Sequence, residues 1–556
     1  MPMNAHRCAI GVDFGTESGR VLVLDLGTGE ELAVSVVPYA SGVIDRELPS
    51  TGEPLRPDWA LQDPADWTAV IETGVPEAVA RAGVDAGDVV GLGVDFTSCT
   101  VLPTTADGVP LCGLERWRGH PHAWPKLWKH HAAQHVADRL NEVAVARGEP
   151  FLERYGGRIS SEWYFPKLIE LWLEDREVYD AACEFVEATD WIVWWMTGGL
   201  VRQTCTAGYK ALWAPGEGLP AAGYFEAAYP GFDTPADKLG TAFAPLGTRA
   251  GTLRPELADR LGLAPSVAVA VGNVDSFASV PGAGVEQPGT FVMVVGTSIC
   301  DMVVHPDEIR LPGITGVARD GILPGLYGYE AGQAAVGDML AWFVETLRPE
   351  AGGFDQLEAA AARLAPGETG LVALDWWNGN RTILADADLT GSILGLSLKS
   401  TPADVYRALL ESIAFGNRRI IENFEEYGLP VDRIVACGGV ALRSPLLMQL
   451  IADVSARRVD VPRATEIPAR GAALFGAVAA GVFADVGDAI AATRTPVGTS
   501  YTPVPAATEI HDRVYAVYRE LYELLGRDRV ALLHELKRIR GEVSAEERKG
   551  GIADVA

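Results

Sequence analysis

Residues 289–302 read GTFVMVVGTSICDM. Apolar and β-branched residues run from Thr290 to Val295, a polar turn of Gly296, Thr297 and Ser298 follows, and a second apolar stretch begins at Ile299. That is the pattern of a β-hairpin. Its turn gathers backbone N–H groups and two hydroxyls in one concavity, which is what a polyphosphate needs. A partner stretch lies near the start of the chain: Ala9-Ile10-Gly11-Val12-Asp13-Phe14-Gly15-Thr16-Glu17-Ser18-Gly19-Arg20. It too is strand, Gly/Thr/Ser turn and strand, with Asp13 just before the turn. One phosphate-type hairpin in each half implies a duplicated fold with a nucleotide between the halves. The sequence between the hairpins then has to supply a phosphoryl acceptor.

The chain has 556 residues, too long for a single hydrophobic core, so two or more domains are expected. Its formal net charge of −28 argues against nucleic acid and anionic membrane as partners. An anionic ligand must therefore be captured by local donors, helix N-termini and Mg2+ rather than by the overall field. The cysteines, Cys8, Cys99, Cys112, Cys183, Cys205, Cys300 and Cys437, are scattered, odd in number and free of any Cys-x-x-Cys pair. Free thiols in a reducing cytosol fit this better than a disulfide framework or a zinc site. No signal-type apolar segment precedes the first strand, and no apolar run approaches membrane-spanning length. A cytoplasmic location is expected.

Residues 8–37 read as three short strands, with Gly27-Thr28-Gly29 closing the second hairpin. Residues 63–82 read as a helix capped at Asp63 with Pro64 in its first turn. Residues 89–96, VVGLGVDF, form a buried strand running into Thr97-Ser98-Cys99-Thr100. Residues 120–141 hold His120, His122, His130, His131 and His135 without the fixed carboxylates or thiols of a metal site. A helix with polar faces near a sugar pocket is expected there. The aromatic-rich stretch 151–213 should be mostly core, with a few rings left to wall a sugar. Lys210, in Ala207-Gly208-Tyr209-Lys210-Ala211, is a cation in an apolar patch. It is either a ligand-binding group or a lysine snorkelling to the surface. Residues 215–265, rich in Pro and Gly, read as loop.

Asp275 follows the strand 267–271 through Gly272-Asn273-Val274, where α/β folds place chemistry. It also suits the N-cap of the next helix. Glu330, in Tyr329-Glu330-Ala331-Gly332-Gln333, precedes a helix expected over 334–347 and also reads as a plain first-turn acid. Residues 402–427 form a long amphipathic helix. The strand 431–436 then runs into Gly438-Gly439 before another helix, a junction that lets a ligand approach backbone closely. The charged tail is helical and is expected to fray over its polar end, 544–556.

The Asp13-x-Gly15-Thr16 hairpin, Asp275 at a strand end, the Gly296-Thr297-Ser298 hairpin and Gly438-Gly439 span nearly the whole chain. Together they resemble the actin, hexokinase and heat-shock-chaperone superfamily, and within it the FGGY carbohydrate kinases. Gly391-x-Ile393-x-Gly395-Leu396, continuing through Arg407-Ala408-Leu409-Leu410-Glu411, resembles that family's C-terminal signature. Middle segments sharpen the resemblance toward members acting on ribulose. They are Asp95-Phe96-Thr97-Ser98-Cys99-Thr100, Leu127-Trp128-Lys129-His130-His131, Ser160-Ser161-Glu162-Trp163, Ala207-Gly208-Tyr209-Lys210, Gly272-Asn273-Val274-Asp275, Thr297-Ser298-x-Cys300-Asp301 and Tyr329-Glu330-Ala331-Gly332-Gln333. Glycerol kinases carry an Arg-Glu pair, and xylulose kinases a Met-His pair, near the place of Asp95 to Thr100; neither pair stands here.

The resemblance implies an α/β fold of two ribonuclease-H-like, actin-like ATPase domains with nucleotide and sugar in the cleft between them. The N-terminal domain would span 1–272, the C-terminal domain 273–510 and a charged helical tail 511–556. The implied reaction is ATP-dependent phosphorylation of ribulose to ribulose 5-phosphate, as in arabinose breakdown; another pentulose or a pentitol is the alternative acceptor. ATP and Mg2+ are the implied cofactors and a homodimer the assembly to test. By the same resemblance Asp13 would sit near Mg2+ and the transferring phosphoryl. Thr16, Ser18 and Arg20 would contact phosphate, with Gly296 and Thr297 on the other side, and Gly438 and Gly439 would border the adenosine. Ser98, Lys210, Asp275 and Glu330 would line the sugar site with Trp128 nearby. Asp275 is the candidate base for the attacking hydroxyl, and Lys210 and Glu330 would fix the ketose by charge-assisted hydrogen bonds. Glu17 departs from the family, where a hydroxyl residue is common. A carboxylate beside a triphosphate is repulsive, so Glu17 is expected to point away and has no assigned role. A chaperone-like or sugar-sensing ATPase on the same fold would need a substrate-binding appendage or a DNA-binding module, against which the acidic chain argues.

Overall fold

A computed structural model describes residues 7–347, 350 and 352–549. Its strands, in chain order, are β1 Cys8–Phe14, β2 Ser18–Asp25, β3 Glu31–Pro38, β4 Val89–Phe96, β5 Val101–Thr104, β6 Glu184–Glu187, β7 Arg249–Thr252, β8 Ala268–Ala270 and β9 Asn273–Val274. The second half holds β10 Gly289–Val295, β11 Ile299–His305, β12 Gly316–Arg319, β13 Tyr327–Gln333, β14 Val372–Leu374, β15 Ser392–Leu394, β16 Val431–Cys437, β17 Val459–Pro462 and β18 Val497–Tyr501.

Strand pairing makes the duplication explicit. β1 pairs antiparallel with β2 and β2 with β3, while β1 pairs parallel with β4 and β4 with β8. In the second half β10 pairs antiparallel with β11 and β11 with β13, while β10 pairs parallel with β16 and β16 with β17. The orders β3-β2-β1-β4-β8 and β13-β11-β10-β16-β17 are the same plan with the same strand senses, the ribonuclease-H-like arrangement expected. The parallel strands are covered on both faces, which is why VVGLGVDF reads as a nearly unbroken apolar run.

Each half has its own core, and a third apolar cluster joins them, drawing Leu24 and Val271 from the first half and Val292, Met302 and Phe475 from the second. The helices Asp275–Gly282 and Ile467–Ala479 pack on each other, and the latter lies on β1 and β4. That approach is backbone to backbone. A Cβ on Gly11 would lie 1.7 Å from the Ala469 carbonyl oxygen, one on Gly93 2.0 Å from that of Ala472 and one on Gly91 2.1 Å from that of Gly476.

Several elements differ from the sequence reading. The helix expected at 63–82 is two α-helical pieces, Pro64–Ala69 and Val75–Ala82, joined by a π-turn at Val70–Gly74. Pro76 has no N–H to continue the α ladder, and the wider turn absorbs the gap. The stretch 120–141 is not one helix: Pro121 and Pro125 keep its first part in turns, and the helix begins only at Gln134–Arg147. The supposed loop 215–265 contains the helices Ala222–Ala228 and Pro255–Leu261 as well as β7. The helix expected over 334–347 is shorter, Gly337–Ala341 followed by a π-helix Trp342–Leu347. In the tail, the helix Pro505–Glu523 buries Tyr515, Tyr518 and Tyr522 in the second core, and Ala531–Lys549 follows. Of the end expected to fray, 544–556, residues 544–549 are still helical and 550–556 lie outside the described residues. Among the described residues no helix is long and apolar enough to cross a membrane.

Candidate active site

Three parallel strands end side by side. In register, Asp13 of β1 faces Asp95 of β4, and Asp95 faces Asn273 of β9. Asp275 lies just beyond, so three carboxyl groups meet at the carboxyl ends of parallel strands. Asp13 is buried and accepts a hydrogen bond from Arg20 Nη1 at 3.3 Å. Asp95 is fully buried, no N–H or hydroxyl donates to its carboxyl oxygens among the described residues, and the neighbouring carboxyl of Asp13 is its hydrogen-bond partner when one of the two is protonated. Burial pushes the Asp95 carboxyl well above the usual range, and the charges of Asp13 and Asp275 push it further. Burial also raises Asp13, against the pull of Arg20. Asp275 is pushed up to about 7, first by burial and then by Asp13, while the Ser276 amide, donating to its Oδ1 at 2.6 Å, and Lys210 act the other way. Neighbouring carboxyls, two of them buried and Asp275 partly so, are not all charged unless a further cation joins them.

The N-cap reading of Asp275 is corrected. The helix Asp275–Gly282 has Val274 at its cap position with no side-chain cap, and Asp275 is the first residue inside. Its carboxylate is therefore not tied to the amides two or three residues on, where a cap would hold it.

The helix Thr204–Lys210 delivers Lys210 into the same region. Lys210 is buried, and its Nζ donates to Glu330 Oε2 at 2.9 Å. Burial pulls its pKa down, but the charge and hydrogen bond of Glu330 outweigh that and raise it. The snorkelling reading therefore fails: the ammonium has a carboxylate partner rather than water. Glu330 is no first-turn acid either. It sits within β13 opposite Met302 of β11, and the next helix starts only at Gly337. Nearby, Ser98 Oγ is buried without a hydrogen-bond partner among the described residues.

A glycine amide donates to a serine carbonyl in each turn, Gly15 to Ser18 and Gly296 to Ser298, but the turns are otherwise held differently. In the first, the Gly15 amide donates to the Ser18 carbonyl at 3.0 Å, and Thr16 Oγ1 accepts from Trp128 Nε1 at 3.1 Å. Trp128, expected near the sugar, is thus fastened to the first phosphate-type hairpin. In the second, the Gly296 and Thr297 carbonyls accept from the amides of Gly337 at 3.1 Å and Val336 at 2.8 Å. Spending the carbonyls on these amides leaves the turn's outer rim to its remaining N–H groups and hydroxyls. Gly438 has φ 96°, and a Cβ there would lie 2.6 Å from the Val295 carbonyl oxygen, so only glycine fits between β16 and this turn. Gly438 and Gly439 therefore abut the second hairpin. Among the described residues no hydrogen bond or ion pair joins the two turns.

Residues 8–282 match the N-terminal domain of the FGGY family of carbohydrate kinases, and residues 291–480 match its C-terminal domain. The chain belongs to the FGGY family of carbohydrate kinases. It is 48% identical over 543 residues to a ribulokinase of Anoxybacillus flavithermus, covering 95% of this chain and 96% of that one. It is 47% identical over 547 residues to a ribulokinase of Halalkalibacterium halodurans, covering 96% and 97%. Among solved structures, the xylulose kinase of Rhodospirillum rubrum superposes with a TM-score of 0.77 at 26% identity, over 95% of this chain and all of that one (100%).

In this FGGY kinase the sequence reading assigned no part to Asp95, Glu162 or Arg381. Asp95 was hidden inside an apolar strand, and only its register with Asp13 discloses it. Arg381 lies in the loop after β14 and is attracted by Glu162 and Glu330, which come from distant parts of the chain. The histidines of 120–135 have another use. Lys126 and Glu170 form a fully buried ion pair, Glu170 also meets His130 Nε2 at 2.9 Å, and His122 Nδ1 lies 3.0 Å from Lys126 Nζ. Burial, then the Lys126 charge, pushes His130 down to about 3. Among the described residues no group of three or more His, Cys, Asp or Glu side chains is placed to hold a metal by itself.

Proposed function

We propose that this FGGY kinase transfers the γ-phosphoryl of ATP to ribulose, giving ribulose 5-phosphate and ADP. The observation that carries the chemistry is the buried Lys210–Glu330 pair beside Asp275, a carboxylate with a pKa of about 7. The choice of ribulose is supported by near-full-length likeness to proteins named ribulokinase.

Asp275 takes the proton of the sugar hydroxyl as its oxygen bonds to the γ-phosphorus and the bond to ADP breaks. A base with a pKa near the working pH does this best. Lys210 and Glu330 offer a donor and an acceptor to neighbouring hydroxyls, and Ser98 adds an unspent hydroxyl. Thr16, Ser18 and Arg20 contact phosphate from one turn and Gly296 and Thr297 from the other, while Gly438 and Gly439 leave backbone open to the adenosine. Trp128 braces the first turn through Thr16. Asp13, with Asp95 behind it, is the residue for Mg2+. Hard carboxylate oxygens in a corner where three carboxyls face Arg20, the single cation that forms an ion pair with them among the described residues, fit that ion, which protein sites usually hold through one or two carboxylates plus substrate phosphates. When bound with ATP, Mg2+ neutralises charge on the phosphates. Closing the halves only around bound sugar would keep water from acting as acceptor.

A cytoplasmic location is part of this proposal, supported by cysteines that are free among the described residues. So is a homodimer, supported by Leu532, Leu536 and Ile539, exposed along one helix, and light scattering tests it. The test of the reaction is ADP release with ribulose, xylulose and glycerol at equal concentration. Ribulose should exceed the others by a wide margin; preference for xylulose or glycerol would overturn the acceptor and leave the family.

A further inference from the structure

The helix Tyr164–Glu174 carries Lys167, Glu170 and Glu174 at spacings that align them on one face. All three grip the segment 122–130. Glu174 meets His122 Nε2 at 3.2 Å, and Glu170 pairs with Lys126 and meets His130 Nε2 at 2.9 Å. Lys167 is bound in another way. It is fully buried, and among the described residues no carboxylate lies within ion-pair distance of its ammonium. Its Nζ donates instead to two backbone carbonyls, that of Cys99 at 2.6 Å and that of Leu127 at 2.8 Å. Burying an ammonium is costly unless its donors are used. A methionine of similar length would fill the space without that cost, so the donors matter for what they hold.

Each of the two carbonyls neighbours a residue of the site. Cys99 follows Ser98, and Leu127 precedes Trp128, whose Nε1 donates to Thr16 Oγ1. Around Ser98 the side chains are spent on their surroundings. Thr97 Oγ1 and Thr100 Oγ1 lie 3.2 Å apart, Thr100 Oγ1 donates to the Thr97 carbonyl at 2.9 Å, and Cys99 Sγ donates to Glu187 Oε1 at 2.8 Å. Ser98 Oγ alone of this stretch is buried without a partner among the described residues, so the turn holds that one hydroxyl in reserve. The two carbonyls depend on Lys167 unequally. That of Leu127 also accepts from the His130 amide at 2.9 Å, and its neighbour Lys126 exchanges backbone hydrogen bonds with Val101. For the Cys99 carbonyl, Lys167 is the only donor among the described residues.

We propose that Lys167 is a positioning residue for the acceptor: it anchors the Ser98 turn to the well-fastened Trp128 segment and so sets where the Ser98 hydroxyl meets the sugar. Lys167 does not touch the sugar itself. It acts through the Cys99 carbonyl, from beneath the site, while the Leu127 carbonyl serves as its fixed point. This rests on the sugar-kinase reading above, but is tested apart from it.

The experiment is a double-mutant cycle in the full-length chain: wild type, Ser98→Ala, Lys167→Met and the two combined. Wild-type turnover with ribulose, xylulose and glycerol is measured first. If wild type prefers another acceptor, the proposed function fails, and the cycle is read on that acceptor instead. In Ser98→Ala the sugar KM should rise about twofold to tenfold, as for a lost neutral hydrogen bond. Lys167→Met should raise it by a similar factor, because the hydroxyl is still present but no longer held in place. Once Ser98 is alanine, adding Lys167→Met should change the sugar KM by less than about twofold, since the two changes remove the same contact. The KM for ATP should stay within about twofold of wild type in all three variants, because the Leu127 carbonyl keeps the His130 amide. Lys167→Gln, which retains an N–H donor on a shorter stem, should fall between wild type and Lys167→Met. A lysine that only stabilises the fold would multiply the sugar KM equally in both backgrounds or raise both KM values together, and either result overturns the proposal. So does a sugar KM left unmoved by Ser98→Ala or by Lys167→Met. Should Lys167→Met fail to fold, Lys167→Gln carries the same cycle, and failure of both to fold would overturn the proposal by making Lys167 a residue of folding alone.

Discussion

Asp275 is where a single atom separates catalysis from folding. Asn in its place can still accept from the Ser276 amide but cannot take a proton. Asp275→Asn should lower kcat by at least about a hundredfold while ribulose binding, read by calorimetry, persists. Near wild-type turnover would move the base elsewhere. Its pKa adds a second readout. The folded value of about 7 lies above the ordinary carboxyl value of 3.8, so burial favours the protonated form. The stability linked to Asp275 is therefore full below about pH 4 and lost as pH rises through about 7. Without ligands, melting curves of Asp275→Asn and wild type should coincide in acid and separate above neutrality, with the variant more stable. In the same window kcat/KM should fall as pH drops below about 7, as the base becomes protonated. Lys210 gives a different signature. Lys210→Ala leaves Glu330 buried without its partner, which costs about 3–5 kcal/mol of stability and raises the KM for ribulose more than that for ATP. Adding Glu330→Gln should restore part of the melting temperature and none of the sugar affinity; recovery of both would make the pair structural. Lys210 stood out in the sequence as a cation in an apolar patch and Asp275 as a carboxylate past a strand end, whereas Glu330 entered only through the family resemblance. Asp95 was not legible, because only strand register brings it beside Asp13 from far along the chain.

At the scale of elements, the two hairpins were readable from their own residues, since a strand–turn–strand signal is local. The elements that were misread owe their form to partners elsewhere. The helix after β13 starts late because Val336 and Gly337 give their amides to the turn at Gly296 and Thr297. The strand β9 is two residues long, too short for any periodicity, yet it fixes the place of Asp275. The sheet face under Ile467–Ala479 is the most demanding contact of all. A Cβ on Gly93 would lie 2.0 Å from the Ala472 carbonyl oxygen, and a backbone carbonyl cannot turn aside as a side chain would. Gly93→Ala should therefore lower stability by roughly 1–3 kcal/mol, read as a shifted denaturant midpoint with an unchanged slope. An unshifted midpoint would mean that helix and sheet already sit further apart.

Across the whole molecule, the halves meet in two ways. Near the strand ends they share an apolar cluster. At the sugar side they are bridged by side chains, Arg154 to Glu308 at 3.0 Å, Arg310 to Glu153 at 2.8 Å and Lys210 to Glu330. The apolar contact is built to persist, and of the bridges only Arg310–Glu153 is well exposed and salt-sensitive, while Lys210–Glu330 is buried, so any hinge is expected to open on the sugar side. Ribulose with a non-hydrolysable ATP analogue should reduce the radius of gyration in solution scattering relative to the free protein at high salt. A constant radius would mean that the halves do not hinge.

The glycine-lined face under Ile467–Ala479 also imposes an order in time. A ribosome releases β1 and β4 early, but the helix that covers them is encoded near the far end of the chain. At about 5–20 residues per second, roughly 20–80 seconds separate the two during synthesis. Throughout that interval one side of the first sheet has nothing to pack against, whatever its own residues prefer. The half of the protein that is made first cannot be finished until most of the other half has been made.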